Sequence, residues 1–449
     1  MSAAKTSLAS IAESIRKHAI HTVEVGAPDT YGHLRGKRIP AARFLSSVAL
    51  GGLNIADAIY VFDILCEIVD SPVINMGTGY LDMHLVPDLT SFRVLPHRPG
   101  YAILLADACT EHGEPHPLDP RNILRTQTSR VRAQGYEPIV ATELECYLFH
   151  HDWTPLQTHV QYSSLTDALG VEAIVAEMRH ALLGAGIPLE SSNPEYGPGQ
   201  LEINFGPADP ITTADNTVLF KSIVKQVATQ HGAHASFMPK PHAGQSGSGM
   251  HIHTSLHKKG RNRFGAGSDG YPNKVMSQWT AGLLHNAQAM QLVGIPTPNG
   301  YRRVRPNTFC PTHVHWGEDN RTVLARLTTA AGEANRVEFR SAGADANPYL
   351  AIAAVLAAGC DGLEQQRKLP PIATGDMYAK PGDSPELPTT MDAALYAYIG
   401  SSLAAELGET FSKNFEVLAR NELTVCAPHL SDDPDAVTTW ERLRYQEHT

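Results

Sequence analysis

The sequence predicts an α+β chain built as a small N-terminal domain, residues 1–115, and a large second domain, residues 116–449. Three observations carry this reading. Short strands mix with helices before about residue 112. The run Glu111–Pro120 then interrupts regular structure with three prolines and a glycine. Beyond it, strands rich in β-branched and aromatic residues alternate with longer helices.

The elements follow in chain order. Leu8 to Ile20 carries Ile11, Ile15 and Ala19 at helical spacing. His21–Val25 and Gly36–Ile39 read as short strands around a turn rich in Gly, Asp and Pro, and Ala41–Leu50 as a second helix. Val94–Leu95 and Tyr101–Ala106 return to strand. Past the boundary, Pro120–Ala133 is a helix with proline at its first position, where the missing N–H costs nothing. Glu137–Phe149 is a strand, since Ile139, Val140, Leu144, Tyr147 and Leu148 are too β-rich for a helix. Asp167–Ala185, Asn216–His231, Thr280–Val293 and Pro348–Glu364 read as helices. Gln200–Phe205, Met250–Leu256, Arg321–Leu327 and Arg336–Arg340 read as strands. Met391–Leu407 is expected to complete the regular structure, followed by a polar tail.

Composition narrows the function. A net charge of −10 with no basic run speaks against a nucleic-acid or anionic-membrane partner. Six cysteines without CxxC spacing suit reduced thiols in a cytoplasmic protein, not a disulfide or zinc framework. No stretch of about 18 apolar residues suggests a membrane span, and a soluble protein is expected.

The chemistry gathers on three short strands. In Arg336–Val337–Glu338–Phe339–Arg340 the alternation of a strand puts Arg336, Glu338 and Arg340 on one face. Alone, this could be a solvated ladder of salt bridges. Glu143–Leu144–Glu145 and His251–Ile252–His253 repeat the device. Acids, imidazoles and guanidiniums on shared faces describe a site for a multiply charged, metal-bound ligand, with a nucleoside triphosphate the obvious candidate.

The strings ATELECYLF, YGPGQLEINF, FMPKPHAGQSGSGMHIHTSL, EDNRTVLARL and NRVEFRSAGADANPYLA resemble, in that order, the signatures of the glutamine synthetase superfamily. The resemblance runs from roughly Gly36 to Leu407. It implies a small N-terminal β-grasp domain and a catalytic domain whose antiparallel strands form a funnel surrounded by helices. It also implies a homo-dodecamer with active sites shared between subunits. The family's first-metal carboxylates match Glu145, Glu195 and Glu202, and its second-metal ligands match Glu143, His251 and Glu338. Oxygen-rich coordination with one imidazole suits Mg²⁺ or Mn²⁺, two or three ions per site. For ATP, His253 and Ser255 match nucleotide contacts, and Arg321, Arg326 and Arg336 match arginines around the phosphates. Arg340 matches an arginine near both the γ-phosphate and the acid substrate. Gly247 and Arg303 match residues holding glutamate, while Ser246 stands where the family usually has asparagine.

One departure sets the expected activity. Where glutamine synthetases carry a flap glutamate that contacts ammonium, this chain reads Arg305–Pro306–Asn307–Thr308–Phe309–Cys310–Pro311, putting Phe309 in its place. A phenyl ring neither accepts a proton nor pairs with NH₄⁺. Asp63 falls near the family's other ammonium-site acid and is the best available proton acceptor. The resemblance therefore leans to the γ-glutamyl-amide ligases, which join glutamate to an organic amine through a γ-glutamyl phosphate. An aryl or alkyl amine is expected. The rivals are an ammonia-using glutamine synthetase, a γ-glutamylpolyamine synthetase and a catalytically silent scaffold. Tyr378, near the family's modified tyrosine but in a different setting, is expected to be an ordinary loop residue.

Overall fold

The computed structural model describes residues 7–166, 169–268, 270–306 and 308–449. Two sheets organise them. The first helix, Leu8–Lys17, starts at Ser7, whose hydroxyl accepts from the Ser10 N–H at 3.1 Å, and buries Ile11 and Ile15. It accompanies a mixed sheet of spatial order Leu34–Pro40, Thr22–Pro28, Tyr101–Cys109, Asp82–Pro87 and Leu53–Ala56. Thr22–Pro28 runs parallel to Tyr101–Cys109, while the other pairs in that order are antiparallel. The expected helix at 41–50 is present, with its middle turn, Phe44–Val48, widened to π geometry.

Arg121, at the start of the helix Pro120–Ala133, ties this region to the rest. Its guanidinium grips Asp215 with Nε at 3.1 Å and Nη2 at 2.8 Å, and also meets Asp107 and Asp88. Asp107 belongs to the first sheet, and Asp215 to the helix Pro210–Gln230. Tyr349, from the helix Pro348–Glu364, donates to Asp215 at 2.6 Å.

The second sheet runs Trp316–Glu318, Ala325–Thr328, Arg336–Phe339, Met250–Lys258, Glu137–His150, Gln200–Phe205 and Leu189–Pro194. Glu137–His150 shows why one face is chemical and the other structural. Val140, Leu144 and Cys146 are fully buried, while Glu143 and Glu145 take the opposite face. Behind the sheet the helices Lys274–Gly294 and Pro348–Glu364 cross at glycines. A β-carbon on Gly282 would stand 2.1 Å from the Ala358 carbonyl oxygen, and one on Gly362 2.0 Å from that of Gln278. Trp279 fastens the first of these helices to the sheet through Nε1–H donated to Thr254 Oγ1 at 3.0 Å.

Two expectations are corrected. Arg321–Leu327 is not one strand: Asn320 Oδ1 accepts from the Thr322 N–H at 2.9 Å and its hydroxyl at 2.7 Å, folding a turn, and the strand begins only at Ala325. Nor is the C-terminus a polar tail. The expected helix at 391–407 is two, Met391–Tyr398 and Ser402–Leu407, and Glu409–Cys426 and Thr439–Tyr445 follow. Among the described residues no helix is long and apolar enough to cross a membrane.

Candidate active site

Strand register assembles the site. Glu143 pairs with His251, Glu145 with Glu202, and Glu338 with both His253 and Arg326. Two donor clusters result, Glu143–His251–Glu338 and Glu145–Glu195–Glu202, the ligand atoms of each lying within 4.8 Å of one another. Glu195 comes from just beyond the strand Leu189–Pro194, so this second cluster draws on three chain segments.

Hydrogen bonds aim each acid. Glu145 accepts from the Gly249 N–H at 2.7 Å, Glu202 from Asn204 Nδ2 at 2.7 Å, and Glu195 from Asn193 Nδ2 at 2.9 Å and the Tyr196 N–H at 3.2 Å. His251 Nδ1 stands 3.0 Å from Glu143 and 3.4 Å from Glu338, and His253 Nε2 is 3.2 Å from the other Glu143 oxygen. Glu338 joins Arg326, at 3.0 Å, and Arg340. Arg326 also pairs with Asp319 at 2.5 Å.

The two clusters differ in charge balance. Burial and the neighbouring Glu195 push the Glu145 carboxyl up to about 7. Burial, with the charges of Glu143 and Glu145, pushes Glu202 up as well, and burial raises Glu195. Glu143 behaves oppositely: burial would raise it, but its bonds to His251 and His253 hold it well below the usual range. Three crowded carboxylates, Glu202 buried and Glu145 and Glu195 half-buried, without a cationic side chain among their bonded partners, form an oxygen donor set suited to a hard divalent cation. The histidine-containing cluster offers one nitrogen and carboxylate oxygens, a donor set that could hold a divalent cation.

His253, Ser255 and Arg336 line a cavity of about 430 Å³ together with Glu143, Asn204 and Asn335, a volume in the range of small-molecule sites. Arg303 is buried with Nη1 donating to the Ala342 carbonyl at 3.2 Å, and its side chain lies flat over Gly247. A β-carbon on Gly247 would meet Arg303 Cγ at 2.5 Å and the Pro239 carbonyl oxygen at 2.8 Å, so only glycine permits this approach. The Ser246 carbonyl accepts from the Tyr147 hydroxyl at 2.6 Å, while its own hydroxyl finds only the Gly247 carbonyl, at 3.5 Å.

The Phe309 ring is half exposed and meets Tyr196 edge to face, centroids 5.1 Å apart. Tyr196 directly follows Glu195, a member of the all-carboxylate cluster. Tyr196 opens the string YGPGQLEINF, but nothing in the sequence sets its ring against Phe309. Tyr378, expected to be ordinary, donates its hydroxyl to the Phe309 carbonyl at 2.8 Å and also lies 3.1 Å from the Arg321 carbonyl.

Asp63 is not brought to this cluster. One carboxylate oxygen accepts from the N–H groups of Leu65 and Glu67, both at 2.9 Å, and the other accepts from Arg444 Nη2 at 2.8 Å. Arg444 binds Glu422 as well. Within this chain that carboxylate is tied through Arg444 to the helix Thr439–Tyr445.

Residues 117–445 match the glutamine synthetase catalytic domain. A glutamate–isopropylamine ligase from Pseudomonas sp. is 33% identical over 455 residues, 98% of each chain. The γ-glutamylethanolamide synthetase GlnA4 of Streptomyces coelicolor is 36% identical over 440 residues, 95% of this chain and 92% of that enzyme. A ligand-free GmaS structure superposes with a TM-score of 0.84 at 30% identity, covering 98% of this chain and 99% of that one. The nearly complete overlap with enzymes that make γ-glutamyl amides, on top of the catalytic-domain match, shows that the chain belongs to the glutamine synthetase family, on its γ-glutamyl-amide ligase side, and is an ATP-dependent carbon–nitrogen ligase.

Proposed function

We propose that the chain joins the γ-carboxylate of glutamate to an apolar primary amine, aryl or alkyl. The observation that carries this reading is Phe309, standing in place of an acid and packed on Tyr196 beside Glu195. Two aromatic rings and no flap carboxylate favour an amine that brings its own apolar surface, and an arylamine also arrives neutral. The relatives named for isopropylamine and ethanolamide support an organic amine over ammonia.

In this reading Glu145, Glu195 and Glu202 hold one divalent cation and Glu143, His251 and Glu338 another. The bound cations would neutralise phosphate oxygens during transfer. The cavity behind His253, Ser255 and Arg336 takes the nucleotide. Arg321, Arg326 and Arg340 offer guanidinium forks to the transferring phosphoryl group, two of them held in place by Glu338. Gly247 and Arg303, with Ser246, receive glutamate. A γ-carboxylate oxygen attacks the terminal phosphorus and ADP leaves. The amine nitrogen then attacks the acyl carbon, the C–O bond to phosphate breaks, and the nitrogen gives up one proton. With Asp63 committed to Arg444, water or the departing phosphate takes that proton.

One assay tests the reading: ADP release with glutamate, ATP and Mg²⁺ or Mn²⁺, comparing isopropylamine, aniline, ethanolamine, putrescine and ammonium. The apolar amines should lead ammonium by about tenfold or more in kcat/KM, and Phe309→Glu should erase that lead. EDTA should abolish turnover. Ammonium or putrescine as the best substrate would reject the proposal, and ADP release indifferent to every amine would point to the silent scaffold.

The reading includes a homo-dodecamer whose neighbouring copies share sites. Supporting it, Leu65, Ile68, Met76 and Leu81 expose apolar surface along one segment of the N-terminal region. Light scattering should return a mass near twelve chains, and a monomer would end this part of the reading.

A further inference from the structure

The segment carrying Phe309 is held in an unfavourable shape. Phe309 has φ of +61°, a left-handed conformation that a bulky non-glycine residue adopts only when its surroundings impose it. The chain before it is closed by Thr308, whose hydroxyl meets the carbonyls of Arg303 and of Arg305, the latter at 2.8 Å. Its far side is fixed by Tyr378.

Tyr378 is itself rigidly mounted. The turn around it is fastened to the turn around Arg321: Asn320 Nδ2 donates to the Gly375 carbonyl at 2.9 Å, and the Met377 N–H donates to Thr322 Oγ1 at 3.0 Å. Asp376 Oδ1 accepts from the Tyr378 N–H at 3.0 Å and the Ala379 N–H at 3.2 Å. From this mount the phenol reaches the Phe309 carbonyl at 2.8 Å and stands 3.1 Å from the Arg321 carbonyl, with the Arg340 guanidinium beside it. A phenol carries one proton, so at full strength it serves one carbonyl at a time.

We propose that Tyr378 is a positioning residue: a latch that holds the Phe309 flap shut against the arginine loop and so sets the aromatic wall the amine meets. This rests on the site reading given above. The latch is a single neutral hydrogen bond, strong enough to bias the flap and weak enough to release during turnover.

Cys310 supplies the measurement. It follows Phe309, is only 1% exposed, and should become accessible when the flap opens. In Tyr378→Phe, which keeps the ring and removes the hydroxyl, iodoacetamide should modify Cys310 about fivefold faster, the loss of one such bond. Cys146 and Cys360, both fully buried elsewhere, should keep their rates. In the same variant KM for the best amine should rise more than KM for ATP. Unchanged labelling of Cys310 would overturn the latch, as would a parallel rise at Cys146 and Cys360, which would signify general loosening. The labelling needs no substrate, so a failure of the amine assignment leaves its result standing.

Discussion

Glu338→Gln should lower amine-dependent ADP release about a hundred- to a thousandfold, as removal of a preorganised charge from a reacting centre does. The side chain is 3% exposed and lies opposite His253 and Arg326 in the sheet. Burial alone would raise its carboxyl, yet Arg340, His253 and His251 together hold it down to about 2, so it is an anion throughout the working pH range. Glutamine fills the same space without the charge. Arg326 and Arg340 then lose their shared counter-ion, and the Glu143–His251 pair loses the negative charge of its third donor. Initial rates at saturating metal, read beside a melting curve, separate this from unfolding. A rate within about tenfold of the parent would place Glu338 outside the reacting machinery.

Arg121→Met should cost about 3–5 kcal/mol of stability, because breaking a buried ion pair from one side strands the other charges. The guanidinium is wholly buried and meets Asp88, Asp107 and Asp215. Methionine fills part of the volume and leaves three carboxylates facing each other. Arg125, which reaches Asp88 at 3.1 Å and Asp107 at 3.0 Å, cannot replace the contact to Asp215. Urea unfolding of the variant should shift to a clearly lower midpoint, and adding Asp215→Asn should recover part of the loss. A midpoint within experimental scatter of the parent would show that this network carries little of the stability.

Alternation made the chemistry of the site strands legible. Glu143 and Glu145, His251 and His253, and Glu338 and Arg340 each repeat at two residues, and a strand can put such pairs on one face in a single way. Which strand lies beside which is not written locally, so the opposition of Glu145 to Glu202 becomes visible only with the sheet. Contacts between distant segments hid the rest. Asp63 reads as a free acid until Arg444, 381 residues away, comes back to meet it. Arg321 reads as strand until the side chain of Asn320 folds a turn ahead of it. The expectation of a polar tail overlooks the helix Glu409–Cys426, although Phe411, Phe415 and Leu418 stand at the spacing of one buried helix face.

The glycine crossing of the two helices behind the sheet has a consequence for motion. Backbones that touch where Gly282 meets Gly362 leave no slack, and Trp279 passes that stiffness to the strand bearing His251 and His253. That strand works as an anvil. Whatever give a catalytic cycle demands has to come from the rim, in the loop around Phe309, while the floor stays still.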